Sequence, residues 1–305
     1  MKKLLKSYNG QKKLSSIVVT SALILILQAT SPSIIRIKEV VQEKEELKKL
    51  RLYIAIPVLS IVLAELLFFS GSIVATICVH IGILISLSLS NIFLKDPKVH
   101  KIYQPLMLLP LLRLVNLSVP IFFETTLYAF IFIYSPLAIA AVAVIKYQQI
   151  SLEEIGITTK NFPIYMVLSV PLGFLLGLGE FLTLQTGYLI PDLTFGNLLK
   201  LTLVMVFFVS LVEELIFRSI LQTRFEKVMD ARAALIVTSL LFGLMHSGYG
   251  TFYEIFYAGF AGFIIGFVFY KTRSLPFIAA MHGFTNIFLF GILPYYHLTG
   301  WTLFY

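Results

Sequence analysis

The chain reads as an all-α, polytopic membrane protein with about eight to ten transmembrane or membrane-embedded helices, on three observations. Hydrophobic residues make up 58% of its 305 positions and charged ones 13%, against roughly 25% charged in a soluble domain. Mean hydropathy is +0.90, more apolar surface than a soluble core of this length needs. Many uncharged runs approach the ~20 residues that cross ~30 Å of hydrocarbon as helix. They are continuous where the strands of a membrane β-barrel would alternate.

Ten apolar segments follow one another, at about 14–35, 52–69, 73–94, 103–123, 125–145, 162–184, 198–221, 233–246, 253–270 and 275–293. The first has a short core, about 17–29, interrupted at 30–33 and preceded by five lysines in 1–13. The short core favours an interfacial or re-entrant segment with both flanks inside. The alternative is a signal peptide with a small-residue site near Ala29. The alternating charges of RIKEVVQEKEELKKLR, at 36–51, suit a solvated or headgroup-lying helix. Ser70-Gly71-Ser72 is either a turn between two spans or a break in one bent helix. The chain therefore divides into a basic N-terminal segment (1–51), additional spans (52–149), a motif-bearing membrane region (150–293) and a tail (294–305).

Basic loops set the orientation. Arg224, Lys227 and Arg232 lie in one connection and Lys271 with Arg273 in the connection two spans later, whereas 247–252 has no Lys or Arg. That places 222–232 and 271–274 in the cytoplasm. Counting backwards, 146–160, 95–101 with three lysines and 36–51 with six basic residues also fall inside, and 187–197 outside. The net charge of +8 therefore marks topology, not nucleic-acid binding. The single cysteine, Cys78, excludes an intrachain disulfide and a thiolate-built metal site.

Chemistry concentrates in the last hundred residues. VSLVEELIFRSIL carries Glu213, Glu214 and Arg218, SLLFGLMHSG carries Phe242 and His246, and FIAAMHGFTNIFLF carries His282 and Asn286. Ionisable groups at membrane depth usually face a polar interior and mark function. Glu214 and Arg218 are four apart and share a helix face, while Glu213 points about 100° away, free to address another cavity. A charged helix end with Arg218 snorkelling would explain the arginine but not two adjacent glutamates. His282 and Asn286 repeat the four-residue spacing, and His246 comes from a third helix. Counted at ~1.5 Å per residue, Glu213 lies ~12 Å and His282 ~10 Å in from the cytoplasmic helix ends, but His246 ~20 Å.

The ordered set Glu-Glu-x-x-x-Arg, Phe-x-x-x-His and His-x-x-x-Asn resembles the CPBP family of CAAX prenyl proteases and bacteriocin-processing proteins, which includes the eukaryotic Ras-converting proteases. The similarity spans roughly 150–293 and includes FYAGFAGFIIGFVFYKTRSLPFIAAMHGFTN. It implies an intramembrane endopeptidase of a prokaryotic plasma membrane, with a cytoplasm-facing cavity. Glu213 would activate water with help from His246, His282 and Asn286 would stabilise the oxyanion, and Glu214 with Arg218 would brace the site. The resemblance also implies a partner: a peptide or lipid-modified protein, met in the bilayer.

Two questions stay open at this stage. Glu213, His246 and His282 are candidate ligands for zinc or another divalent metal, but if Glu213 were a ligand, the remaining base, Glu214, would be blunted by Arg218. An ion- or proton-coupled transporter is the rival reading, with Glu65, Arg113, Glu124 and Glu180 as further intramembrane charges, although a simple pairing of Arg113 with one of these glutamates is favoured over a relay.

Overall fold

A computed structural model describes residues 2–122 and 126–298 of the chain, and every regular element among them is helical. The chain forms two compact units, residues 1–50 and 51–305. The first unit is the N-terminal part of α1 (Lys2–Phe69), a helix that runs without interruption through 30–33, where the sequence suggested a break.

The second unit begins with the rest of α1 and continues with α2 (Ile73–Phe93), α3 (Pro97–Phe122), α4 (Ala129–Tyr147) and α5 (Phe162–Leu184). It is completed by α6 (Phe195–Glu226), α7 (Ala231–Leu244), α8 (Phe252–Thr272) and α9 (Leu275–Tyr296). Counting Glu39–Phe69 within α1, nine helices among the described residues are long and apolar enough to cross a bilayer. The chain is an integral membrane protein. Ser70-Gly71-Ser72 is a turn, with Gly71 at φ +80, and not a bend in one helix. Asp230, Thr251 and Ser274 cap α7, α8 and α9 by accepting from backbone N–H groups of the first turn.

Two features position the later helices. Small residues let α5 and α9 approach closely: a Cβ on Gly173 would fall 2.5 Å from Phe284 Cβ, and one on Gly177 2.7 Å from the Thr285 carbonyl. α6 departs from α geometry in two π-helical stretches, Val204–Ser210 and Leu215–Gln222, which bracket the α-helical Leu211–Glu214. Such stretches recur at functional sites because they re-aim neighbouring side chains.

At the basic-loop end the bundle is shut. The 148–161 connection folds over α6 and the α8–α9 turn. Ser219 donates to the Ile155 carbonyl at 2.6 Å, and Leu275 N–H to the Gly156 carbonyl at 2.8 Å. Arg224 donates to Glu154 at 2.7 Å and to Gln148 at 2.9 Å, Lys227 also pairs with Glu154, and Arg51 reaches the Val228 carbonyl at 3.2 Å. Ser274 and Leu275 are buried, so α9 starts inside the body and not at its surface.

Partial burial pushes the Glu154 carboxyl up, but Lys227 and Arg224 outweigh it and hold the group below its ordinary 4.5. A carboxylate depressed on folding stabilises the fold above its unfolded pKa and stops doing so as pH falls through the folded one. Thermal unfolding in detergent should therefore separate the wild type from Glu154→Gln fully above pH 4.5, with the gap closing as the pH is lowered below it.

Candidate active site

α6 supplies the acidic groups and sends them to different neighbours. Glu214 is fully buried, and its Oε1 accepts from Arg218 Nη1 at 3.1 Å and from His282 Nδ1 at 2.7 Å. Arg218 donates its second amino group to the Gly262 carbonyl at 3.0 Å and lies 4.2 Å over the Phe242 ring. A Cβ on Gly262 would stand 2.9 Å from Phe242 Cδ1 and 3.0 Å from Arg218 Nη2, so only glycine lets α8 come this close. The Glu214 carboxyl, the Gly262 carbonyl and the Phe242 ring together fix the guanidinium in place.

Glu213 is placed differently. Tyr134 of α4 donates its hydroxyl to Glu213 Oε1, and Oε2 stands 3.8 Å from His282 Nε2. The carboxyl lines a cavity of about 80 Å³ together with Tyr134, Arg113, Asn116, Tyr249 and His246. A water needs only roughly 10–15 Å³ of such space and a few polar partners. His246 follows the last turn of α7, its Nδ1 2.9 Å from the Phe242 carbonyl and its ring stacked at 6.2 Å on Tyr249. A carbonyl only accepts, so Nδ1 is the donor in this bond, and Nε2 takes no part in it.

Phe242 is the hub of these contacts. Its ring lies 5.0 Å from Phe217, 4.9 Å from His246 and 5.9 Å from His282. Asn286, one turn beyond His282, donates to Ser210 Oγ at 3.2 Å, one turn before Glu213. The seven residues singled out by sequence therefore gather between α6, α7, α8 and α9, with one qualification. Glu213 and His246 line the cavity, whereas His282 and Asn286 sit on the α6–α9 seam and do not. The depth mismatch also resolves. α6 runs to Glu226, which puts Glu213 ~20 Å from its end, close to the ~22 Å counted for His246 from Ala231. His282 looks shallow only because α9 starts below the surface.

The wall opposite α6 contains the expected pairing of Arg113 with an intramembrane glutamate, but its link to the His246 turn was not legible in the sequence. Glu65 of α1 and Arg113 of α3 form a buried pair at 3.0 Å through Nε, with His80 of α2 3.2 Å from Glu65 Oε1. Arg113 also donates to the Met245 carbonyl at 2.7 Å and to Ser247 Oγ at 3.2 Å, and Ser247 donates to Glu65 at 2.7 Å. The residues on either side of His246 are held by this clamp. Arg113 and Glu65 were visible as intramembrane charges, but Tyr134 lies in an apolar run with no feature to set it apart. Glu180 is buried in α5, and Glu124 lies outside the described residues.

The metal candidates do not converge. Among the described residues no three His, Cys, Asp or Glu groups could hold an ion together. His282 Nδ1 is engaged by Glu214 and His246 Nδ1 by a carbonyl, so no step is assigned to a metal.

Residues 195–288 match the family described as type II CAAX prenyl endopeptidase, Rce1-like, in line with the motif resemblance. This match covers all seven motif residues. No curated protein and no solved structure matches the chain.

Removing one partner of a buried pair leaves an uncompensated charge and typically costs about 3–5 kcal/mol, whereas replacing both by apolar residues is often nearly neutral. Unfolding in mixed micelles should show that loss for Arg113→Met and recovery of most of it in the Glu65→Met, Arg113→Met double variant. An unchanged midpoint for the single variant would remove the clamp from the account.

Proposed function

We propose that the chain is an intramembrane endopeptidase of a prokaryotic plasma membrane, hydrolysing peptide bonds in membrane-associated or CAAX-type substrates by a glutamate-based mechanism. The observation that carries the reading is the division of labour between adjacent carboxylates. Glu214 is engaged by Arg218 and His282, while Glu213 faces a water-sized cavity that His246 also lines.

In this mechanism a water held between Glu213 and His246 gives a proton to Glu213 as its oxygen attacks the scissile carbonyl carbon. The carbonyl π electrons move onto oxygen, forming a tetrahedral oxyanion. His282 and Asn286 Nδ2 are the proposed donors to it, His282 acting as an imidazolium that keeps Nδ1–H on Glu214 and donates through Nε2, with Asn286 turning from Ser210 towards the substrate. The Tyr134 hydroxyl lines the cavity and is a further donor within it. As the oxyanion collapses, the C–N bond breaks and the proton on Glu213 passes to the leaving amine. A positioned acid–base pair of this kind supplies about 10²–10⁴ in rate, and preorganised donors a comparable share.

The coupled-transport reading has less support. Glu65 and Arg113, the charges that suggested an ion relay, engage each other and the His246 turn.

Purified protein incubated with a defined library of apolar peptides should cleave a subset, and Glu213→Ala should reduce that turnover by about 10²–10⁴. Equal turnover by both proteins would sink the protease assignment.

A further inference from the structure

A second pair of buried carboxyls lies beside the site, and the mechanism does not use it. Glu180 of α5 and Glu254 of α8 meet side chain to side chain. Glu254 is fully buried and Glu180 nearly so, and neither oxygen of Glu254 meets a hydrogen-bond donor. The two helices are pressed together at this level. The Tyr257 hydroxyl, one turn after Glu254, donates at 2.7 Å to the carbonyl of Leu176, one turn before Glu180. A Cβ on Gly179 would collide with that hydroxyl, so the glycine next to Glu180 is what admits Tyr257. Glu254 itself lies in the first turn of α8, where its N–H donates to Thr251 Oγ1 at 3.2 Å.

The basic group that faces the pair is His246. A Cβ on Gly243, about one turn before it, would stand 2.5 Å from the Ile255 carbonyl, so the last turn of α7 packs on the first turn of α8. His246 acts on Glu254 across this contact. Tyr249, stacked on His246, is acted on by Glu180, Glu254 and Glu213 alike. Glu213 faces Glu180 from α6, and Tyr257 faces both carboxyls from α8. The two helices supply no cation of their own nearby. Glu180 is the one charged residue of α5, and Lys271, the other charge of α8, is about 25 Å along the axis from Glu254.

The geometry points to Glu180 and Glu254 as a positioning pair: two carboxyls that hold one proton between them and keep one negative charge beside His246. Two carboxylates face to face in a dry interior cannot both ionise. With one proton, Glu180 donates to Glu254, which supplies the donor that Glu254 otherwise lacks, and the charge rests on the member facing His246. The use of that charge rests on the protease reading. Hydrolysis of a peptide bond yields a carboxylate and an ammonium at neutral pH. One proton of the attacking water reaches the amine through Glu213. The second leaves the O–H group of the new carboxyl. His246 Nδ1 is held by the Phe242 carbonyl, so Nε2 is the atom that takes this proton and hands it to the amine. An O–H bond breaks, an N–H bond forms and His246 ends neutral. While it carries the proton it is an imidazolium, and the charge on Glu254 stabilises it at that moment.

Spectroscopy of the full chain in lipid nanodiscs tests the pair without turnover. Glutamine mimics a protonated glutamate, so Glu180→Gln keeps one neutral donor and one carboxylate, whereas the Glu180→Gln, Glu254→Gln double variant removes the charge. Infrared spectra of protein with isotope-labelled glutamate carboxyls should contain a protonated-glutamate band that Glu180→Gln removes. A wild type without such a band, as a bound cation would give, or a Glu180→Gln spectrum that retains it, would overturn the shared proton. Magnetic resonance of ring-labelled histidine reads His246 directly, its signal assigned by its loss in His246→Gln. At about pH 6.5, the ordinary midpoint of a histidine, the ratio of imidazolium to imidazole should stay at the wild-type level in Glu180→Gln and fall about tenfold in the double variant. An unchanged ratio in the double variant, or an equal fall in both, would overturn the role at His246. Turnover of the peptide library by the double variant should fall about tenfold through kcat with KM unchanged; full turnover, or a change in KM alone, would overturn the role in catalysis. If the wild type cleaves no peptide, the protease reading fails while the spectra still decide the pair.

Discussion

A charge cannot stay in a low-dielectric interior without a partner, and the site of this protein is organised around that constraint. Glu214 has no access to water, so Arg218 and His282 must meet it, and both do so at hydrogen-bond distance. Meeting it fixes three helices relative to one another: Arg218 also binds the α8 backbone at Gly262, and His282 belongs to α9. With Glu214 committed in this way, its neighbour Glu213 is the carboxylate left to face the cavity. Adjacent glutamates with opposite surroundings are a way to build one structural and one reactive carboxylate from consecutive residues.

The same constraint operates on the other side of His246. Glu65, Arg113 and His80 come from α1, α3 and α2, outside the stretch that matches a known family, and they converge on the backbone and side chain of residues 245 and 247. Tyr134, from α4, reaches Glu213 itself. The matched stretch thus carries the motif residues, and the preceding helices build the wall of the cavity and hold the His246 turn. The 52–149 spans are not a passive addition to a complete catalytic region.

Much of this was legible in the sequence, for identifiable reasons. Continuous apolar runs gave the later spans to within a few residues, and the α5 limits of 162–184 agree with the structure outright. The four-residue spacing brought Glu214 to Arg218 even though Leu215–Gln222 is π-helical. Other features left no trace. Nothing in 195–226 marks its π-helical stretches, whose effect depends on packing against α7 and α9. The unbroken helix through 30–33 runs against composition. Depth counted from helix ends misled at α9, whose first residues are buried under a loop distant in sequence.

The central claim is that Glu213 and His246 hold one water between them while Glu214 does not. A density map of the purified protein in a lipid nanodisc, at a resolution that places ordered waters, tests this most directly. The account predicts a water within hydrogen-bond distance of both the Glu213 carboxyl and His246 Nε2. A dry contact there, or Glu213 bound to Arg218 in place of Glu214, would contradict it.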